Sequence, residues 1–212
     1  MRKKYRFVLL SIMIVVVTGG LFWINRAQVN TDGKKVTKVE NGKTLIVYYS
    51  RTGNTKEVAK LIQAQVSGEL VAIETLDDRP ANYAQEVKQN EQEQEKSLLP
   101  KLKTQISDFD SYNRIFIGAP TWNMALPQAV VTFLDQYNFS GKTVIPFNTN
   151  GGYGEGATFS QIKKGAKGAK VLEGLSLKGG EETNGILLAI KGDKKVEVSK
   201  EIDKWLTKIG QK

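Results

Sequence analysis

Residues 44–55 read TLIVYYSRTGNT, an apolar, β-branched and aromatic run that ends abruptly in hydroxyls. Thr44 to Tyr49 has no polar alternation, the pattern of a strand buried on both faces. Past the loop, Thr55 to Ser67 places Val58, Ala59, Ile62 and Val66 on one helical stripe that stops at Gly68. Ser50, Arg51, Thr52, Gly53, Asn54 and Thr55 therefore lie between a buried strand and a helix N-terminus. Free backbone N–H groups and the helix dipole make such a place receptive to an anion, and hydroxyls add neutral donors. Plain N-capping is the alternative, since Asn54 is followed by Glu57, but capping needs one such side chain rather than four. No Gly-Lys-Ser/Thr follows, so the loop is not a Walker motif.

Strand and helix alternate through the rest of the body. Glu69 to Glu74, Arg114 to Ile117, Thr143 to Phe147, Lys170 to Leu177 and Gly185 to Ile190 read as further strands. Between them, Tyr83 to Gln105 reads as a polar, exposed helix broken near Pro100, Pro127 opens a helix with Val130, Phe133 and Leu134 on one face, and Phe159 to Lys167 is helical. A last helix presents Val198, Ile202, Trp205, Leu206 and Ile209 on one side. This order predicts an α/β, doubly wound parallel sheet, with a ligand at the carboxyl ends of the strands where the strand order reverses. Two more loops then matter. Residues 118–124 (GAPTWNM) carry Trp122 between strand and helix, where a flat indole face suits stacking. Residues 148–156 (NTNGGYGEG) hold four glycines around Tyr153, which lets backbone approach the edge of a planar ligand. With the first loop they describe a site for a phosphorylated planar aromatic cofactor.

Composition narrows the chemistry. The 212 residues include no His and no Cys. That excludes histidine general bases, thiol nucleophiles, disulfides, iron–sulfur clusters and the usual zinc sites, and no metal ligand set or catalytic residue is expected. The formal charge of +9 divides unevenly: residues 1–43 carry nine bases and two acids, while residues 44–212 carry 22 and 20. The body is near neutral, and no nucleic-acid partner is expected.

Residues 1–24 read as a signal anchor. Arg2, Lys3, Lys4 and Arg6 precede an uncharged run from Phe7 to Ile24, long enough to span a membrane as a helix. The basic cluster puts the N-terminus in the cytoplasm and the body outside, as a single-pass cell-membrane protein. Cleavage near Gly20 and secretion is the alternative. Residues 25–43 are a polar linker, and residues 44–212 form the folded domain.

TLIVYYSRTGNT, YNRIFIGAPTWNMALPQAVVTFLD and SGKTVIPFNTNGGYGEG together resemble the flavodoxin-like FMN proteins, over residues 44 to about 210. The resemblance implies a five-stranded parallel sheet in order 2-1-3-4-5 and non-covalently held FMN. It implies that Ser50, Arg51, Thr52, Gly53, Asn54 and Thr55 surround the phosphate. Pro120, Thr121, Trp122 and Asn123 would line the isoalloxazine, with Trp122 as the stacking face. Thr149, Asn150, Gly151 and Gly152 would meet its far edge, and Tyr153 would form a second wall. The implied function is electron transfer, as a carrier or as an FMN-dependent reductase of quinones or other small molecules, with a redox protein or quinone as partner. A flavin- or phospholigand-binding module without redox work is the alternative.

Overall fold

The computed structural model describes residues 42–180 and 187–212. The proposed anchor at residues 7–24 lies outside them, as does most of the linker. Among the described residues no helix is long and apolar enough to cross a membrane.

The chain runs β1 (Lys43–Tyr48), α1 (Asn54–Val66), β2 (Glu69–Ala72), α2 (Tyr83–Glu95), β3 (Tyr112–Pro120), α3 (Gln128–Gln136), β4 (Thr143–Asn150), α4 (Thr158–Gly165), β5 (Lys170–Val171), β6 (Leu175–Lys178) and α5 (Gly192–Lys208). All strand pairs are parallel, in the order β2-β1-β3-β4-β5, with β6 also on β4. Period-two alternation sorts the strands onto two faces. Leu45, Val47, Ile115 and Ile117 point into one core with Val130, Phe133 and Ile162 of α3 and α4. Ile46, Phe116, Ile145 and Phe147 point into the other with Val58, Ile62, Ile202 and Trp205 of α1 and α5. The expected doubly wound architecture and its strand order are therefore present.

The fifth strand departs from the expected continuous run. Val144 pairs with Val171 and Phe147 with Leu175, so four steps on one strand face three on the other. One extra residue makes a bulge between β5 and β6. Pro146 lies opposite the break. Val144 accepts from Leu172 N at 2.9 Å and Asn150 from Gly179 N at 2.8 Å, so the even-numbered residues of β4 turn their peptide groups toward this edge. Pro146 is one of them and has no N–H to give. Within the break, Glu173 O accepts from Trp205 Nε1 at 3.0 Å.

Two further expectations are corrected. Leu187–Ile190, the described part of the strand read at 185–190, is not a strand, and residues 185–186 lie outside the described set. The polar helix ends at Glu95, not near Gln105, and it is not simply exposed. Tyr83 and Val87 pack on the core, while Glu86 and Asn90 are 1% and 2% exposed. Its buried face is polar because its side chains hold the neighbouring loops by hydrogen bonds. Asn90 accepts from Gln128 N at 2.9 Å, and Gln94 donates to the carbonyls of Trp122 and Leu126 at 3.2 and 2.9 Å.

Candidate functional site

The carboxyl ends of β1, β3 and β4 converge on one cleft, built around the turn into α1. Gly53 caps that helix with φ 96°, a left-handed conformation glycine adopts without Cβ strain. Glycine brings no capping side chain and Asn54 lies inside the helix, so the capping-box alternative is not realised; Glu57 pairs with Lys60 and Lys195 instead. Ser50 Oγ accepts from Lys56 N at 3.2 Å. Among the described residues, nothing accepts from the amides of Thr52, Gly53, Asn54 or Thr55. Four unpaired donors at a helix N-terminus, beside the hydroxyls of Thr52 and Thr55, form an anion-binding turn. Thr55 Oγ1 lies 2.9 Å from Thr149 Oγ1, which fixes the turn against the end of β4.

Two members of this loop have structural commitments that the sequence reading did not anticipate. The Asn54 side chain is 3% exposed and fully engaged. Its Nδ2 donates to Thr52 Oγ1 at 3.0 Å and to Leu187 O at 2.5 Å; its Oδ1 accepts from Ala189 N at 2.9 Å and Ile190 N at 3.1 Å. Only its backbone amide remains for an anion. Arg51 turns its guanidinium to the other side, onto the carbonyls of Pro80 and Ala81 and the carboxylate of Glu86. Glu86 also accepts from the Tyr49 hydroxyl at 2.6 Å. Burial, reinforced by that bond, pushes the Tyr49 phenol far above its usual range, so it remains a donor.

The second loop is a tight two-residue turn. Trp122 and Ala125 exchange both backbone hydrogen bonds, at 3.1 and 3.0 Å, across Asn123 and Met124 at φ 49° and 57°. Asn123 is exposed and reaches Gln94, away from the cleft. Trp122 is not the open wall expected of it: it is 4% exposed, with Tyr49 and Tyr83 meeting it edge to face. Thr121 is buried, held by its amide to Thr149 O and by its hydroxyl from Asn148 Nδ2. In the third loop, Asn150 Oδ1 accepts from the amides of Gly152 and Gly154 at 2.8 and 3.1 Å and so shapes the glycine turn. Tyr153 is 60% exposed and outside the cleft.

The cleft brings together Arg51, Thr52, Asn54 and Thr55 from the first loop, Pro120, Thr121 and Trp122 from the second, and Thr149, Asn150 and Gly151 from the third. Ser50, Gly53, Asn123, Gly152 and Tyr153 do not line it. Four residues outside the expected set do: Tyr83, Gly179, Gly180 and Leu187. The glycine pair following the fifth strand is a legible turn signal at the same end of the sheet. Tyr83 carried no such mark. The cleft is open to solvent, with about 40 Å³ accessible to water. Among the described residues no group of acidic side chains is arranged to hold a metal ion.

A parallel, doubly wound sheet with an anion-binding turn after its first strand and an aromatic cleft at the strand-order switch defines a nucleotide-type binding protein. The chain belongs to the flavodoxin family, whose model matches residues 43–187. It is 28% identical over 106 residues to a flavodoxin of Synechocystis sp., a match covering 48% of each chain, so the chain spans about half the length of this curated relative. A Bacteroides eggerthii crystal structure assigned as a flavoprotein superposes with a TM-score of 0.63 at 26% identity, covering 80% of this chain and 98% of that one. A flavoprotein of Lactobacillus acidophilus, solved in complex with FMN, gives a TM-score of 0.57 at 26% identity, covering 65% and 93%.

Proposed function

We propose that the chain is an FMN-binding flavoprotein that transfers electrons at a membrane surface. The observation that carries the reading is the set of amides at Thr52–Thr55 that no described residue accepts from, with two hydroxyls beside them, opening into the cleft that Tyr83 and Trp122 border. The residues fit the group: the turn matches a phosphate in charge preference and donor number, while Tyr83 and Leu187, with Trp122 behind them, offer apolar surface for a ring system. Backbone from Thr149 to Gly151 and at Gly179–Gly180 would meet its polar edge. FMN, when bound, supplies the one- and two-electron chemistry, and the protein supplies position and environment. No acid or base of the chain is needed in that scheme, in keeping with a sequence free of His and Cys.

The test is a titration of the full chain, in mild detergent, with FMN and with riboflavin. FMN should bind at least about tenfold more tightly, because the turn spends its donors on the phosphate. Equal affinities would remove the anion assignment. Reduced, FMN-loaded protein should then be reoxidised by a soluble quinone analogue; a bound flavin inert to every acceptor would favour the non-redox module.

The membrane reading rests on residues 2–24. We assign Phe7 to Ile24 as an uncleaved anchor with the flavin domain outside, on the basic cluster that precedes it. As a random coil, the polar stretch 25–42 ahead of β1 would have an r.m.s. reach of about 25 Å, which would keep the domain near the bilayer and a lipid-soluble acceptor. Protease added to intact protoplasts should degrade the body, while the protein fractionates with membranes. A protected body would reverse the orientation, and a mature N-terminus near Leu21 would replace the anchor with a cleaved signal.

A further inference from the structure

Residues 156–172 hold four bases, Lys163, Lys164, Lys167 and Lys170, and no acid. All four are exposed, and among the described residues none of them is in an ion pair. Other lysines at the same end of the fold are paired: Lys208 with Glu173 at 2.5 Å, Lys43 with Asp108 at 3.3 Å and Lys212 with Asp203. The dipole of α4 accounts for Lys163 and Lys164, which stand in its last turn, but not for Lys167 and Lys170 beyond it.

The four lysines share one surface. Gly141 N donates to Gly168 O at 3.1 Å and Lys170 N to Lys142 O at 2.8 Å, which binds the turn after α4 to the turn before β4. Between α3 and α4 a groove of about 490 Å³ opens, lined by buried Leu134 and Phe139, half-buried Val131 and Tyr137, and the exposed Lys164 and Lys167. Asp135 is the one acid that borders it. Strand register places this surface on the sheet. Lys43 pairs with Tyr112, Arg114 with Thr143 and Thr143 with Lys170, so β1, β3, β4 and β5 all start here. The chain enters β1 at this end, and the cleft lies at the other, about 25 Å away along the eight residues of β4.

We propose that this end of the domain is a docking surface for the headgroups of an anionic lipid bilayer. Lys163, Lys164, Lys167 and Lys170 are its charges, and the groove between α3 and α4 is the recess that takes a headgroup and the start of its chains. Four unpaired lysines within eight residues complement an anionic membrane surface. A soluble polyanion would match the lysines but has no use for an apolar recess. Docked in this way, the domain turns its cleft away from lipid, toward a redox protein arriving through water. That consequence rests on the flavoprotein reading above; the lipid surface does not.

The test uses the full chain, which has no Cys, so one introduced cysteine carries one label. A nitrobenzoxadiazole group is placed at Gln136→Cys, exposed between two groove residues at the end of α3, or at Tyr153→Cys, exposed at the cleft end. Vesicles of phosphatidylcholine, with or without phosphatidylglycerol, carry a spin-labelled headgroup that quenches a nearby fluorophore. The label at residue 136 should be quenched in the phosphatidylglycerol vesicles alone, and the label at residue 153 in neither. Lys163→Gln, Lys164→Gln, Lys167→Gln and Lys170→Gln together should lower the ratio of docked to undocked domain about fivefold per lysine, while Arg at the same positions should keep it. Raising the salt to ~0.5 M should act as the Gln substitutions do. Quenching at residue 136 that is absent, equal in the two vesicles or indifferent to the Gln substitutions overturns the proposal. Its loss to polyuridylate at equal phosphate also does, by making the surface one for nucleic acid. Quenching at residue 153 overturns the outward cleft. A chain that binds only the phosphatidylglycerol vesicles keeps the lipid surface and overturns the anchor, and a chain that docks but binds no FMN overturns the flavin reading alone.

Discussion

Asn54→Ala should destabilise the full chain by about 1–3 kcal/mol, because it strips a partner from the buried Ile190 amide and from the less buried Ala189 N and Leu187 O at once. Leu187 O, Ala189 N and Ile190 N all bond to this one amide, and Thr52 Oγ1 receives its remaining proton. A methyl group replaces none of them, and water has little access to a side chain 3% exposed. The loss should read as a lower urea midpoint at unchanged slope, since the fold itself persists. Anion binding should weaken as well, as Thr52 and the turn lose their brace. Asn54→Asp separates the two effects: it keeps acceptors for Ala189 and Ile190 but brings a negative charge into an anion site, so ligand affinity should fall further than stability. A midpoint within error of the wild type for Asn54→Ala would mean that residues 187–190 are held by something else.

Gly118→Ala should cost about 1–3 kcal/mol through crowding, although one methyl group is all it adds. A Cβ at Gly118 would lie 2.1 Å from Phe147 Cζ, and Gly118 and Phe147 face each other in register across β3 and β4. Phe147 is fully buried in the core under α1 and α5, so the ring has nowhere to retreat. Phe147→Leu frees the space the new methyl needs. The double substitution should therefore be more stable than the sum of the two single losses predicts, a coupling that a double-mutant cycle reads directly. Strict additivity would show that the ring and the methyl do not collide.

What the sequence made legible and what it hid follow from the range of the interactions. The strands at 44–49, 114–117 and 143–147 announce themselves because a strand buried on both faces must be apolar along its whole length, a property written in consecutive residues. The anion turn is equally local: its hydroxyls, glycine and helix start lie within six residues. The role of Asn54 is not local. Three of its four partners lie more than 130 residues away, so an asparagine at a helix start looks like a cap or a ligand whichever it is. Glu86, Asn90 and Gln94 hid for another reason. Hydrophobic periodicity marks a buried face only when that face is apolar, and this one is polar. Trp122 was misjudged as open because the tyrosines that cover it come from β1 and α2. Pro146 did sit in plain view, but only the register shows which edge its missing donor faces.

The break between β5 and β6 also bears on self-association. A sheet's outermost strand offers a row of unused amides and carbonyls to any other extended chain, and long, flat edges of that kind seed aggregates. Here that edge is divided into segments of two and four residues. The protruding carbonyl of Glu173 is already claimed by Trp205, and Lys170 and Lys178 stand at its two ends. The opposite edge, β2, is four residues long. Neither side presents a template long enough for a second molecule to extend, so both edges are guarded against strand-by-strand polymerisation.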